Sequence, residues 1–183
     1  MRTWWLWLAL ALTAGCPEPA RAQGELRAAE YQVKAAFVYK FGDYVEWPPG
    51  TFAGDQAPLR IGVLGADELA DELARIVAQR TMSGHPVEIR KLRTGDQALG
   101  QHLVFVGSDA SGHLDEVLAA GRGQAMLVVT ESAQALRRGS TINFVVVDTK
   151  VRFDIALAAA QERGIKISSR LLAVARKVVG KPS

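Results

Sequence analysis

The chain has 183 residues, with 22 Lys and Arg against 19 Asp and Glu, for a formal charge of +3. The basic residues are scattered among acidic ones, so no cluster forms a nucleic-acid footprint. Cys16 is the only cysteine, which excludes an internal disulfide and a cysteine-based metal set. A chain of this length forms one domain with a core large enough to need neither.

Met1-Arg2 is a short positive start, and Thr3 to Ala14 is an uncharged, mostly apolar run. That run is too short to cross a hydrocarbon core of ~30 Å. Ala20-Arg21-Ala22 supplies the small-x-small pattern of a signal peptidase site, so cleavage is expected between Ala22 and Gln23. Residues 1–22 then form a secretory signal and residues 23–183 a single mature domain outside the cytoplasm. A competing reading takes Leu12 to Cys16 as a lipobox, with lipid on Cys16. The soluble form is preferred because Thr13 stands where an aliphatic residue is usual.

Residues 23–28 read as a polar leader. Helical spacing begins near Ala29, with Val33, Phe37, Phe41, Tyr44 and Val45 on one stripe and Ala36 beside them. Pro48 stops this helix at Trp47. Leu59 to Leu64 is a strand ending at Gly65, and Asp67 is a candidate cap for a helix over 68–79. Val87 to Arg90 alternates as a strand. Leu103 to Val106 is continuously apolar and ends at Gly107, after which Ser108 or Asp109 caps a helix over 110–120. Ala125 to Val129 is a further strand, followed by a short helix near 132–138 that ends at Gly139. Thr141 to Val147 and Val151 to Phe153 form a hairpin about Asp148-Thr149-Lys150. Asp154 is expected to cap a helix that Gly164 closes, and Ser168 to cap a last helix over 169–179.

Short apolar strands alternating with helices predict a mostly parallel sheet covered on both faces. The fold class is therefore α/β, a three-layer α/β/α sandwich that is Rossmann-like in outline, with an antiparallel hairpin at one edge.

The chemistry-bearing residues form no constellation. Gly65 and Gly107 end strands, but no G-x-G-x-x-G series follows, and Asp67 and Glu68 would repel phosphate. Ser111 lacks the glycine two residues before it that a nucleophile elbow needs. His85, His102 and His113 have no metal-ligand spacing and read as surface or second-layer side chains. Asp148 and Asp154 have turn and cap roles. No cofactor, metal or catalytic residue is predicted. Trp47 reads as a lid over the core, with a partner-facing anchor as the alternative. The last helix carries more apolar surface than one stripe requires, since Leu172 and Val179 fall outside the stripe of Leu171, Val174, Ala175 and Val178.

The blocks EYQVKAAFVYKFGDYVEWP, PLRIGVLG, PVEIRKL, HLVFVG and INFVVVDTKVRFDIALAAAQERGIKISSRLLAVARKV, spanning Glu30 to Val179, resemble the YfiR/HmsC family of bacterial periplasmic proteins. The first and last blocks are the specific ones. The resemblance implies a regulator, not an enzyme. It implies binding to the periplasmic sensor region of a membrane-anchored diguanylate cyclase, repression of cyclic di-GMP signalling and biofilm formation, and a homodimer. Relatives sense redox state through cysteines; this chain has Gln101 where relatives often carry one before H-x-x-F, so disulfide sensing is not open to its mature domain. The expected partner-binding patch is Ile165, Ile167, Arg170 and Leu171, in the most specific block and beside the excess apolar surface. A periplasmic small-molecule sensor and a hydrolase using Ser111 remain alternative classes.

Overall fold

The structure is a computed structural model that describes residues 18–180 except Gln97; residues 1–17, including Cys16 and most of the expected signal, lie outside the described residues. In chain order the elements are α1 (Glu18–Asp43), β1 (Val45–Glu46), β2 (Leu59–Leu64), α2 (Asp67–Val77), β3 (Val87–Leu92) and β4 (Leu103–Val106). A 3-10 turn (Ser108–His113), α3 (Leu114–Ala120), β5 (Leu127–Thr130), α4 (Ala135–Arg138), β6 (Ile142–Val147) and β7 (Lys150–Ala156) follow. The chain closes with α5 (Leu157–Glu162), β8 (Lys166–Ile167), α6 (Ser169–Val174) and β9 (Lys177–Val179).

Seven strands form one sheet in the order β3-β2-β4-β5-β6-β7-β9. The first five are parallel, β7 runs antiparallel to β6, and β9 is parallel to β7. The apolar run of β4 explains the layering. Leu103 and Phe105 face one side, with Tyr31, Ala35, Val38 and Phe41 of α1 and Leu69 and Leu73 of α2. Val104 and Val106 face the other, with Leu114 and Val117 of α3. A strand buried on both faces has no polar positions to alternate, and helices on both sides make the three layers expected.

Phe37 and Phe41 of α1 pack on Phe144 and Phe153, with ring centroids between 4.9 and 6.1 Å across the two pairs of elements. Offset and edge-on pairs at these separations add to area burial, and they fix where α1 crosses β6 and β7. β2 and β4 meet tightly where they end. A Cβ on Gly107 would lie 2.2 Å from the Gly65 carbonyl oxygen, and one on Gly65, at φ +68°, would lie 2.5 Å from Ala110 Cβ. These glycines seal the sheet against itself and leave no room for an anion between them.

Several boundaries differ from expectation. The leader 23–28 is helical, and the predicted cleavage position Ala22–Gln23 falls inside α1. Helix one stops at Asp43, and Val45 pairs with Ile167 in a separate two-stranded ribbon. The buried face of α1 is Tyr31, Lys34, Ala35, Val38 and Phe41, while Val33 and Ala36 are exposed; the predicted stripe left out Lys34 because a lysine reads as solvated. Asp67 does not cap, since Ala66 holds that position, and neither Ser108 nor Asp109 caps, since both lie within the 3-10 turn that follows Gly107. Asp154 lies in β7 opposite Asn143, and its carboxylate takes both ends of the Arg176 guanidinium. The last helix is short, because after Val174 the chain extends and Lys177–Val179 joins the sheet. The hairpin therefore sits one strand inside the edge. Ser168 does cap α6, accepting from the Leu171 N–H, and the hairpin turns through Asp148 and Thr149, both at positive φ as a tight two-residue connection requires.

Candidate interaction surface

The carboxyl ends of β4 and β5 meet the N-terminal half of α1 in a dense ionic cluster. Lys34 is 4% exposed, one turn from the aromatic pack. Its ammonium pairs with Glu30 on its own helix and with Glu131, the residue after β5, whose side chain is 5% exposed. Glu131 Oε1 also accepts from the Tyr31 hydroxyl at 3.1 Å and from the Ser108 N–H at 2.9 Å. A buried carboxylate needs this number of donors to repay its lost hydration. The lysine stem runs between rings, with Nζ 5.3 Å from the centre of Tyr31 and 6.0 Å from that of Phe144. Burial, reinforced by the Glu131 charge, pushes the Tyr31 phenol up to about 12. Arg27 closes the outer end, donating to Asp109 at 3.0 Å and to the Tyr31 oxygen at 3.4 Å.

Exposed apolar side chains lie on two elements that border this cluster. Six large hydrophobic side chains are exposed among the described residues, and four of them, Leu26, Val33, Val146 and Val147, belong to α1 or the tip of the β6–β7 hairpin. Leu26, Glu30 and Val33 share one helical stripe at i, i+4 and i+7. Glu30 and Val146 line the same shallow cavity of about 280 Å³, so helix and hairpin are neighbours there. The result is a mixed patch of small apolar side chains about a rigid, charge-balanced centre, a composition suited to contact with another protein.

Each ionic group in the cluster is paired. Elsewhere, the His113 Nδ1 lies 3.3 Å from Glu116, while the Ser111 carbonyl accepts from Arg138, so neither contact couples serine to histidine. Asp148 sits in the hairpin turn and Asp154 is held by Arg176, so the two carboxylates do not face each other. Among the described residues no group of three or more His, Cys, Asp or Glu could hold a metal ion. His85 stacks on Phe52 at 3.8 Å. His102 is buried and not a surface residue, because its Nδ1 accepts the Arg60 N–H at the start of β2. Trp47 packs against the main core, as a lid does.

The expected partner patch is not an exposed surface. Ile165 is 0%, Leu171 2% and Ile167 9% exposed; all three belong to the main core, and only Arg170 is exposed. The chain from α5 to α6 folds back onto α1, with Ile167 paired to Val45, so the surplus of apolar residues there closes the core. The sequence reading missed Lys34 and Glu131. Their signal was a charged residue at core spacing between Tyr31 and Val38.

The YfiR/HmsC-like family matches residues 31–176, and the chain belongs to that family. The family is regulatory and non-catalytic, and it acts in cyclic di-GMP signalling. No curated protein matches the chain. Among solved structures, a conserved domain protein from Vibrio cholerae O1 biovar El Tor aligns with a TM-score of 0.58 at 13% identity, over 81% of this chain. This chain spans 60% of that protein's length, and the likeness is one of fold.

Proposed function

From that membership we propose that the chain is an exported brake. It binds the periplasmic sensor region of a membrane-anchored diguanylate cyclase, holds it inactive, and lowers cyclic di-GMP and biofilm formation. The export step rests on the pattern of residues 1–22. The observation that carries the binding step is the set of exposed apolar side chains, Leu26, Val33, Val146 and Val147, near a fixed ionic cluster.

A brake works by preferring one conformation of its partner. A hundredfold preference corresponds to about 2.7 kcal/mol. Full burial of one valine side chain supplies about 1.5–3 kcal/mol, so two or three of these residues suffice. Arg27 and Glu30, at the rim, set register and partner choice more than affinity.

The test is Val33→Asp with Val146→Asp in cells, reading cyclic di-GMP and recovery of the cyclase with tagged protein. Both substitutions leave the unfolding midpoint unchanged and raise cyclic di-GMP to the level of a gene deletion. Full repression by the folded double variant removes this surface. A deletion that leaves cyclic di-GMP unchanged removes the function itself.

A further inference from the structure

At the opposite end of the sheet, where β2, β4 and β5 begin, lies a cavity of about 350 Å³. Arg60, Gln101, His102, Gln124, Gly100 and the loop from Pro48 to Thr51 contribute its walls, and no Asp or Glu lines it. Arg60 is exposed. Its Nε donates to the Gly100 carbonyl at 2.7 Å, which turns the guanidinium toward β4. Glu88 is its register partner on the other side, on β3, yet Arg60 forms no ion pair with any described carboxylate. His102 adds no charge, since its Nδ1 accepts the Arg60 N–H at 2.9 Å and the ring is held neutral. Gln101 is 6% exposed, and one end of its amide is buried with no partner.

We propose that this cavity binds a small monocarboxylate that carries a hydrogen-bond donor beside its carboxylate. Arg60 takes the carboxylate and the Gln101 amide takes the donor. A single uncompensated cation neutralises one negative charge, and the guanidinium fork matches a carboxylate with two parallel bonds. A phosphate monoester brings nearly two charges, and the second would face the Gly100 carbonyl with no cation. The terminal torsion of a glutamine is broad and two-fold, so rotation of the amide alone presents its unpaired end to the cavity. The volume is at the small end of ligand sites, which fits a ligand of few heavy atoms. This site stands independently of repression by the chain.

The experiment titrates isotope-labelled protein with L-lactate, acetate and inorganic phosphate and follows backbone amides by NMR. L-Lactate gives saturable shifts centred on Gly100, Gln101 and Gly123; acetate binds more weakly and phosphate does not saturate. Arg60→Gln keeps the dispersed spectrum of the folded protein and weakens lactate roughly tenfold or more. Gln101→Leu reduces lactate to the affinity of acetate. Absence of saturable shifts at these residues, equal binding by Arg60→Gln, or phosphate as tight as lactate overturns the site. Acetate equal to lactate in the unsubstituted protein overturns the role of Gln101.

Discussion

The two ends of the parallel strands treat polar groups in opposite ways. At the carboxyl ends, Glu131 collects donors from Lys34, Tyr31 and Ser108, and the glycine backbones of Gly65 and Gly107 touch. At the amino ends, Arg60 lacks a counter-ion, and Gln101 and Trp47 each bury a polar atom without a partner. Open α/β sheets place ligands beyond the carboxyl ends of their strands. This chain closes that crevice with α1 and leaves its unspent hydrogen-bonding capacity at the other end. Polar satisfaction thus separates a finished structural joint from an end that keeps unpaired polar groups.

The largest expected effect lies in the joint. Lys34→Met leaves Glu131 buried without its cation and destabilises the protein by about 3–5 kcal/mol, read as a lowered urea midpoint. The double variant Lys34→Met with Glu131→Met recovers most of that loss, because replacing both charges removes the desolvation penalty with the attraction. A double variant no more stable than the single one would show that Glu131 is held by Tyr31 and Ser108 alone.

Next comes the glycine contact. Gly107 has an ordinary negative φ, so Gly107→Ala carries no backbone strain. Its methyl group must still displace the Gly65 carbonyl, which costs about 1–3 kcal/mol in calorimetry. Gly123→Ala is a poor control because its φ is +72°, whereas Gly112→Ala meets open space and leaves the melting temperature nearly unchanged.

Acidity distinguishes the ends a third way. Burial, reinforced by the Glu131 charge, pushes the Tyr31 phenol up to about 12, so that hydroxyl keeps its proton through the neutral range. His102 is pushed below its ordinary 6.5 by burial first and by the Arg60 charge second, with His85 adding to it. Its protonation is therefore easier in the unfolded chain. The stability this contributes is complete above about pH 6.5 and is lost as pH falls from there through the lower folded value. Protonated Nδ1 could no longer accept the Arg60 N–H. Urea unfolding across that window shows the slope in the unsubstituted protein and a smaller one in His102→Gln. Equal slopes would assign the acid sensitivity to other groups.

The same contrast explains what the sequence could disclose. Both-sided strands such as Leu103–Val106, the hairpin about Asp148-Thr149 and the Ser168 cap are local patterns, and each formed where expected. Asp154 misled because a carboxylate before a helix looks like a cap; its true partner, Arg176, lies 22 residues on, beyond any local rule. Val178 fits a helical stripe as well as a short strand, and only the free edge of β7 decided between the two. Lys34 broke the rule that cations stay outside, and a 97-residue separation hid Glu131 from it. Ile165, Ile167 and Leu171 were visible as surplus hydrophobicity, but a sequence does not say whether a surplus is covered.

The smallest expected effect is the most discriminating. At the carboxyl-end joint, cutting a polar side chain removes a partner from another buried group, so stability falls. At the amino end, Gln101 lies over Gly62, where a Cβ would come within 3.2 Å of Gln101 Cγ and 2.6 Å of Leu92 Cδ1. Its unpaired amide end costs hydration without repayment. Gln101→Leu keeps the packing volume and removes that cost, so it is neutral or stabilises by up to about 1 kcal/mol in denaturant unfolding. A gain in stability with a loss of carboxylate binding is the signature of a group kept for a ligand. A clear loss of stability would mean that the amide already has a partner, such as an ordered water, and the contrast between the two ends would narrow to the unpaired charge of Arg60.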